Sequence, residues 1–364
     1  MKSVKFFSSI SKVFRNNKLS NFKKAALFFL ISAIVLVVNA KFSLASACIQ
    51  ELSDTDKAEK IKADPANKDL KSGWVDCGDC KVYVDDDAKG KKDGTKDHPF
   101  KSIQKAIDIA KHHDCKNVFI KEGYYKQNNI ELWEDIKITS PGRDKVIIDG
   151  NDKDEDVIKM YDDTKLQNVT IKGGKNGVEI KGNAKTLIWD SIIKNNKRDG
   201  VNIERSEASY EHKVNIHKTK IYNNGWNGIF SEKKRFYLED NEIYNNGWDG
   251  VEFQQGSKGS IKRTTFKDNE GLGLRLTIDK SSITIDDCTF KDNDKSGLEV
   301  RRKDQGGYLK IRNETKFYKN DKYGIVRLVE EEIIQNKWDD SVKINSDTKF
   351  WDNDYGDISH LIEV

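Results

Sequence analysis

The sequence predicts an all-β solenoid, a single-stranded parallel β-helix in which short strands stack coil upon coil. Three observations carry this. A frame of an apolar residue, an asparagine, a glycine and an aliphatic residue recurs at Ile193, Asn196, Gly200 and Val201. It returns at Ile221, Asn224, Gly228 and Ile229, and at Ile243, Asn246, Gly250 and Val251. Further copies are Phe266, Asn269, Gly273 and Leu274; Phe290, Asn293, Gly297 and Leu298; and Phe317, Asn320, Gly324 and Ile325. Second, the glycines from Gly177 to Gly324 lie 23, 28, 22, 23, 24 and 27 residues apart, a solenoid period without a leucine-rich frame. Third, the residue two places after the aliphatic one is again apolar at Ile180, Ile203, Phe253, Leu276 and Val300. That alternation describes a strand with one face in a core, and stacked coils share the core that no coil can close alone.

Taken in chain order, the first element is an export signal. Residues 1–47 hold 8 Lys and Arg and no acid. An apolar run from Ala25 to Val38 is short for a membrane span and suits a signal peptide, with Ala45, Ser46 and Ala47 as a cleavage pattern before Cys48. A short signal anchor and a lipidated Cys48 are the alternatives, and Leu44 sits one place too far from Cys48 for the usual lipoprotein pattern. All three place the remainder outside the cytoplasm, exported or tethered at the cell surface. Residues 48–73 read as a charged tether, 74–150 as an N-terminal cap with the first coils, and 151–364 as the β-helix repeats.

Beyond residue 47 the chain carries 56 basic and 60 acidic groups. A mildly acidic chain does not suit general nucleic-acid binding, which draws its affinity from neutralised phosphates. Membrane contact is expected only through the N-terminal segment or a lipid on Cys48. Cys77, Cys80 and Cys115 with His112 and His113 admit a Cys₃His zinc site, but one disulfide among the three is the simpler reading in an exported chain. Cys288 lies in a strand-like stretch and reads as a buried core residue. Pro99 opens a helical pattern with Ile103, Ala106, Ile107 and Ala110 on one stripe, fit to cover the open end of the first coil.

Asn196, Asn224, Asn246, Asn269, Asn293 and Asn320 fall at one turn of successive coils, so their side chains are expected to form a hydrogen-bonded ladder. A weaker copy precedes them at Gly173 and Gly177. A copy one residue short follows at Phe350, Asn353 and Gly356. The glycines are expected to supply a positive φ or a close approach.

This frame, over residues 170–356, resembles the repeat of the pectate-lyase-like superfamily of right-handed parallel β-helices. The upstream series Val82–Asp85, Asp93–Thr95, Pro99–Ile107, Val118–Ile120 and Glu122–Tyr125 resembles the N-terminal cap of such proteins. The resemblance implies a right-handed helix and a polysaccharide lyase or glycoside hydrolase. It equally admits a non-catalytic adhesin or structural protein, because fold alone does not name a function. The implied partner is an extracellular or cell-envelope polysaccharide.

Asp199 and Asp249, each before a Gly-Val pair, resemble the Asp-Gly-aliphatic stretch of polygalacturonase-like hydrolases, whose paired aspartates and catalytic His motif are missing here. Two coils apart, they would stand roughly 10 Å from each other, near the separation of an inverting carboxylate pair. Ordinary Asp-Gly and Asn-Gly turn chemistry is the simpler explanation. Trp226 and Trp248, in near-duplicate stretches, are expected to stack on adjacent coils, either offering a flat face for sugar rings or simply packing on each other and on Tyr222 and Tyr244. The outer rows hold Glu179, Asn202, Glu252, Arg275 and Glu299, then Lys181, Glu204, Glu232, Gln254 and Arg301. A lyase would take Ca²⁺ on Glu204 or Glu252 and use Arg275 or Arg301 as base. Charge pairing between strands accounts for the same rows. Asp199, Asp249 and Arg275 are thus the catalytic candidates, and Trp226, Trp248, Glu252 and Arg301 the substrate-binding ones. No metal ligand set stands out, and Ca²⁺ is the only cofactor left open.

Overall fold

The computed structural model describes residues 81–205, 213–232, 234–254, 256–302, 306–329 and 335–363. The signal, the tether, Cys48, Cys77 and Cys80 lie outside the described residues. Among the described residues no helix is long and apolar enough to cross a membrane.

Each coil contributes one strand to each of three parallel sheets, of 11, 10 and 10 strands. One coil shows the pattern. Thr186–Trp189 lies in the first sheet, Ile192–Lys194 in the second and Val201–Ile203 in the third. Each strand pairs in register with its counterparts in the coils before and after, as Ile193 does with Ile171 and Ile221. The solenoid expected from the repeat is therefore the observed architecture.

Strand alternation sends one row of each sheet inward. Val178, Val201, Ile229, Val251, Leu274, Leu298 and Ile325 are all fully buried. Phe266, Phe290, Phe317 and Phe350 form a column of nearly parallel rings with centroids 4.6, 4.6 and 5.2 Å apart. Burial of Phe266, Phe290 and Phe317 contributes about 1.5–3 kcal/mol each, and the column keeps that contact continuous from coil to coil.

Helix α1 (Ile103–His112) packs beside the strands Lys81–Val84, Asn117–Ile120 and Ile130–Leu132. Its apolar stripe, Ile103, Ala106, Ile107, Ile109 and Ala110, is buried. Its start differs from the sequence expectation. Ser102 is the N-cap and accepts from the Lys105 amide, whereas Phe100, beside Pro99, bridges to Val84 in an extended conformation. A side-chain acceptor for a free helical N–H fixes the start better than the φ preference of proline. Cys288 is a buried free thiol, but its neighbours are not purely apolar. It takes a place beside Thr264 and Thr315 at the turn between the first and second sheets. There its amide donates to the Thr315 hydroxyl at 3.3 Å. Burial pushes the thiol up to about 12.

Candidate functional site

The sequence-derived candidates gather at the turn between the second and third sheets and on the third sheet after it. The turn begins with a residue at positive φ, which is Asn195, Asn223, Asn245, Asp268, Asp292, Lys319 or Asp352. The ladder asparagine follows. The Asn224 Oδ1 accepts both the Asn196 amide, at 3.2 Å, and the Asn196 Nδ2, at 2.9 Å. The same pair of bonds links Asn224 to Asn246, Asn246 to Asn269, Asn269 to Asn293, Asn293 to Asn320 and Asn320 to Asn353. Asn353 joins although its repeat is one residue short. Of the two roles expected of the repeat glycines, positive φ is taken by the residue before each asparagine and, in the last copy, also by Gly356. The glycines serve close approach: a Cβ on Gly228 would stand 2.5 Å from the Gly250 carbonyl oxygen.

Three residues after Asn196, Asn224 and Asn246 runs a second ladder in the opposite sense, begun by Asp156 and Asn176 in the earlier coils. Here each side chain accepts the backbone amide of the following coil. Asp156 accepts Asn176, Asn176 accepts Asp199, Asp199 accepts Asn227, Asn227 accepts Asp249, and Asp249 accepts Leu272, at 2.9 to 3.2 Å. Asp199 and Asp249 are thus 5% and 3% exposed and committed to backbone. The outward carboxylate pair with a water between does not form, because the turn directs these side chains along the solenoid. Burial pushes the Asp199 carboxyl up to about 6, partly offset by the bonds from Asn227.

Arg275 is held as firmly. Its Nε donates to the Asp249 Oδ2 at 2.7 Å, and its Nη1 pairs with the Glu299 Oε1 at 3.3 Å. Burial works against its charge. The bond to Asp249 and the charges of Asp249, Glu299 and Glu252 outweigh that and hold its pKa above the ordinary value. A guanidinium so placed is a poor proton acceptor. Arg301 pairs with the same Glu299 at 3.7 Å, and Glu252 accepts from the Gln254 side chain at 3.2 Å. Glu204 accepts from Lys181 at 2.8 Å. The rows are charge-paired along the third sheet. Among the described residues no three His, Cys, Asp or Glu side chains are grouped to hold a metal ion.

Trp226 and Trp248 do stack, with centroids 4.9 Å apart and planes within 5°. The Arg198 guanidinium lies over the other face of Trp226, 4.4 Å from its centroid. Trp248 is 52% exposed. Tyr222 and Tyr244 form their own stack at 4.6 Å on the outer face of the second sheet.

The outer face of the first sheet brings together residues from several coils. A shallow depression of about 310 Å³ is lined by Lys213, Asn215, His217, Tyr237, Glu239, Ser260 and Lys262. The His217 Nδ1 stands 3.3 Å from the Glu239 Oε2, and its ring stacks on Trp189 at 5.5 Å. Arg263 holds Glu239 from the far side. Register explains the convergence: Trp189, His217 and Glu239 are neighbours in one outward row, and Asn215, Tyr237 and Ser260 in the next. The alternation in Lys213–His217 and Arg235–Glu239 was visible. Which outward residues became neighbours depended on loop lengths that differ from coil to coil.

Residues 176–336 match the family model of the right-handed β-helix region. The chain is similar to the A-module of the Azotobacter vinelandii mannuronan C-5 epimerase AlgE4, at 14% identity and TM-score 0.42, covering 78% of this chain and 100% of that one. It is similar to pectate lyase Pel9A, at 10% identity and TM-score 0.44, covering 78% of each. It is also similar to the catalytic domain of a GH87 alpha-1,3-glucanase, at 10% identity and TM-score 0.35, covering 81% of this chain and 70% of that one. No curated protein matches the sequence. The right-handed β-helix expected from the repeat agrees with the family model over residues 176–336.

Proposed function

We propose that the protein is an exported β-helix that binds an extracellular or cell-envelope polysaccharide through its lateral faces. One observation carries the reading: the depression on the first sheet. It sets the Tyr237 ring and the Trp189–His217 stack beside hydrogen-bonding groups of both signs, Lys213, Asn215, Glu239, Ser260 and Lys262. Rings offer faces to sugar C–H groups, and the polar groups suit hydroxyls and carboxylates. In this reading α1 covers the first coil, and the N-terminal segment is a signal peptide, anchor or lipid tether.

A second reading, catalysis at the same place, is favoured by the 3.3 Å contact of His217 with Glu239. A carboxylate that orients an imidazole is a general acid–base arrangement. The test presents the full chain with acidic and neutral polysaccharides. Retention on affinity gels, ultraviolet absorbance of unsaturated uronate products and release of reducing ends are followed together. Binding without either product supports the first reading. A product lost in His217→Ala supports the second. No binding to any polymer ends both.

A further inference from the structure

The Trp226–Trp248 stack belongs to a column that runs along the corner between the second and third sheets. Successive backbone bonds define it. The Arg198 amide donates to Lys175 O, Trp226 to Arg198 O, Trp248 to Trp226 O, Gly271 to Trp248 O, Lys295 to Gly271 O and Lys322 to Lys295 O. The levels at Arg198, Trp226 and Trp248 are filled by flat groups 4.4 and 4.9 Å apart. At the next level stands Gly271, which has no side chain. A side chain cannot be placed there, because a Cβ would lie 2.3 Å from the Asp249 Oδ1 and 2.8 Å from the Trp248 carbonyl carbon. Lys295 occupies the level beyond, exposed and without an ion-pair partner among the described residues. The column therefore has one vacant level, open to solvent, with the uncovered face of a tryptophan on one side and a free ammonium on the other.

We propose that this level is a subsite for one pyranose ring of an acidic glycan. The ring continues the stack with its C–H face on Trp248 and turns its carboxylate to Lys295. Coil spacing sets the width, since two coils separate Trp248 from Lys295 by roughly 10 Å, leaving room for one ring. Charge sets the class. The column carries Lys175, Arg198, Lys295 and Lys322 against one acid, Glu155, at the end far from the open level. Glu270 and Asp294, exposed one position earlier in their coils, are acceptors for the ring hydroxyls. Because the stacked planes lie across the solenoid, the bound ring enters edge-on. This subsite suits a chain end or a branch rather than a chain running along the sheets. It rests on the polysaccharide reading but lies on a different corner from the first-sheet depression.

The experiment measures binding of the full chain to oligosaccharides of galacturonate, mannuronate and glucuronate, with their methyl esters as uncharged partners, by calorimetry. Trp248→Ala is expected to weaken binding of an acidic oligomer about tenfold. Lys295→Gln is expected to weaken the acidic form about threefold and leave its ester unchanged. Both side chains are exposed, and melting curves matching the unaltered chain confirm that each variant folds. Binding equal to the unaltered chain in both variants overturns the subsite and leaves the polysaccharide reading standing. Loss in Trp248→Ala with no effect of Lys295→Gln overturns the acidic class. If no oligomer or polymer binds the unaltered chain, the polysaccharide reading fails and the subsite with it.

Discussion

Two ladders run through the same turn three residues apart, and they differ in one respect. The ladder from Asn196 to Asn353 is all amide. The ladder from Asp156 to Asp249 alternates carboxylate and amide. An amide both donates and accepts, so the first ladder repeats indefinitely with each group satisfied and no charge buried. A carboxylate only accepts, so each aspartate in the second ladder also brings a charge under the surface. Asp249 has Arg275 to meet that charge, and Asp199 does not. Position in the coil fixes the hydrogen bonds, while the local charge partner fixes the energetics. Two aspartates that look equivalent in sequence are therefore physically unlike.

Substitutions in the two ladders test this difference, and the largest effect is expected from the amide one. Asn246→Ala removes the acceptor of two Asn224 donors, at 3.2 and 3.0 Å, and the donor to Asn269, all fully buried. A loss of about 3–5 kcal/mol is expected in urea unfolding. A loss under 1 kcal/mol would mean that the ladder decorates a solenoid held by its core alone. Next comes Asp249→Asn, which keeps the bond to the Leu272 amide but leaves Arg275 with only Glu299. It is expected to cost about 2 kcal/mol in the same assay. An unchanged midpoint would show that Arg275 does not meet the Asp249 charge.

The solenoid and the amide ladder were legible in the sequence because both repeat at one position per coil, and a period survives without knowledge of contacts. The side-chain direction of Asp199 and Asp249 was not legible, since a turn residue has no strand parity to follow. The depression around His217 was hidden for another reason. Its residues are joined by register across coils of unequal length. Residue 200 to residue 228 spans 28 positions and 228 to 250 only 22, so the outward neighbours of His217 could not be counted from a fixed period. The helix start was misplaced by giving proline more weight than the Ser102 cap.

The smallest expected effect has the opposite sign and separates a ladder residue from a catalytic one. Burial raises the Asp199 carboxyl from its ordinary value to about 6. With the folded pKa above the unfolded one, the contribution of this group is fully present below about pH 4. It is lost as pH rises towards and through 6. At neutral pH the buried charge destabilises the fold, and protonation relieves it. Asp199→Asn keeps the oxygen that accepts the Asn227 amide and removes the charge. A gain of about 1–2 kcal/mol is expected at pH 7.5, fading to nothing near pH 4, measured as unfolding midpoints across that range. The same variant should leave polysaccharide binding and any product formation untouched. A catalytic carboxylate would give the reverse pattern, activity lost with stability indifferent to pH, so one variant read by two assays decides which kind of residue Asp199 is.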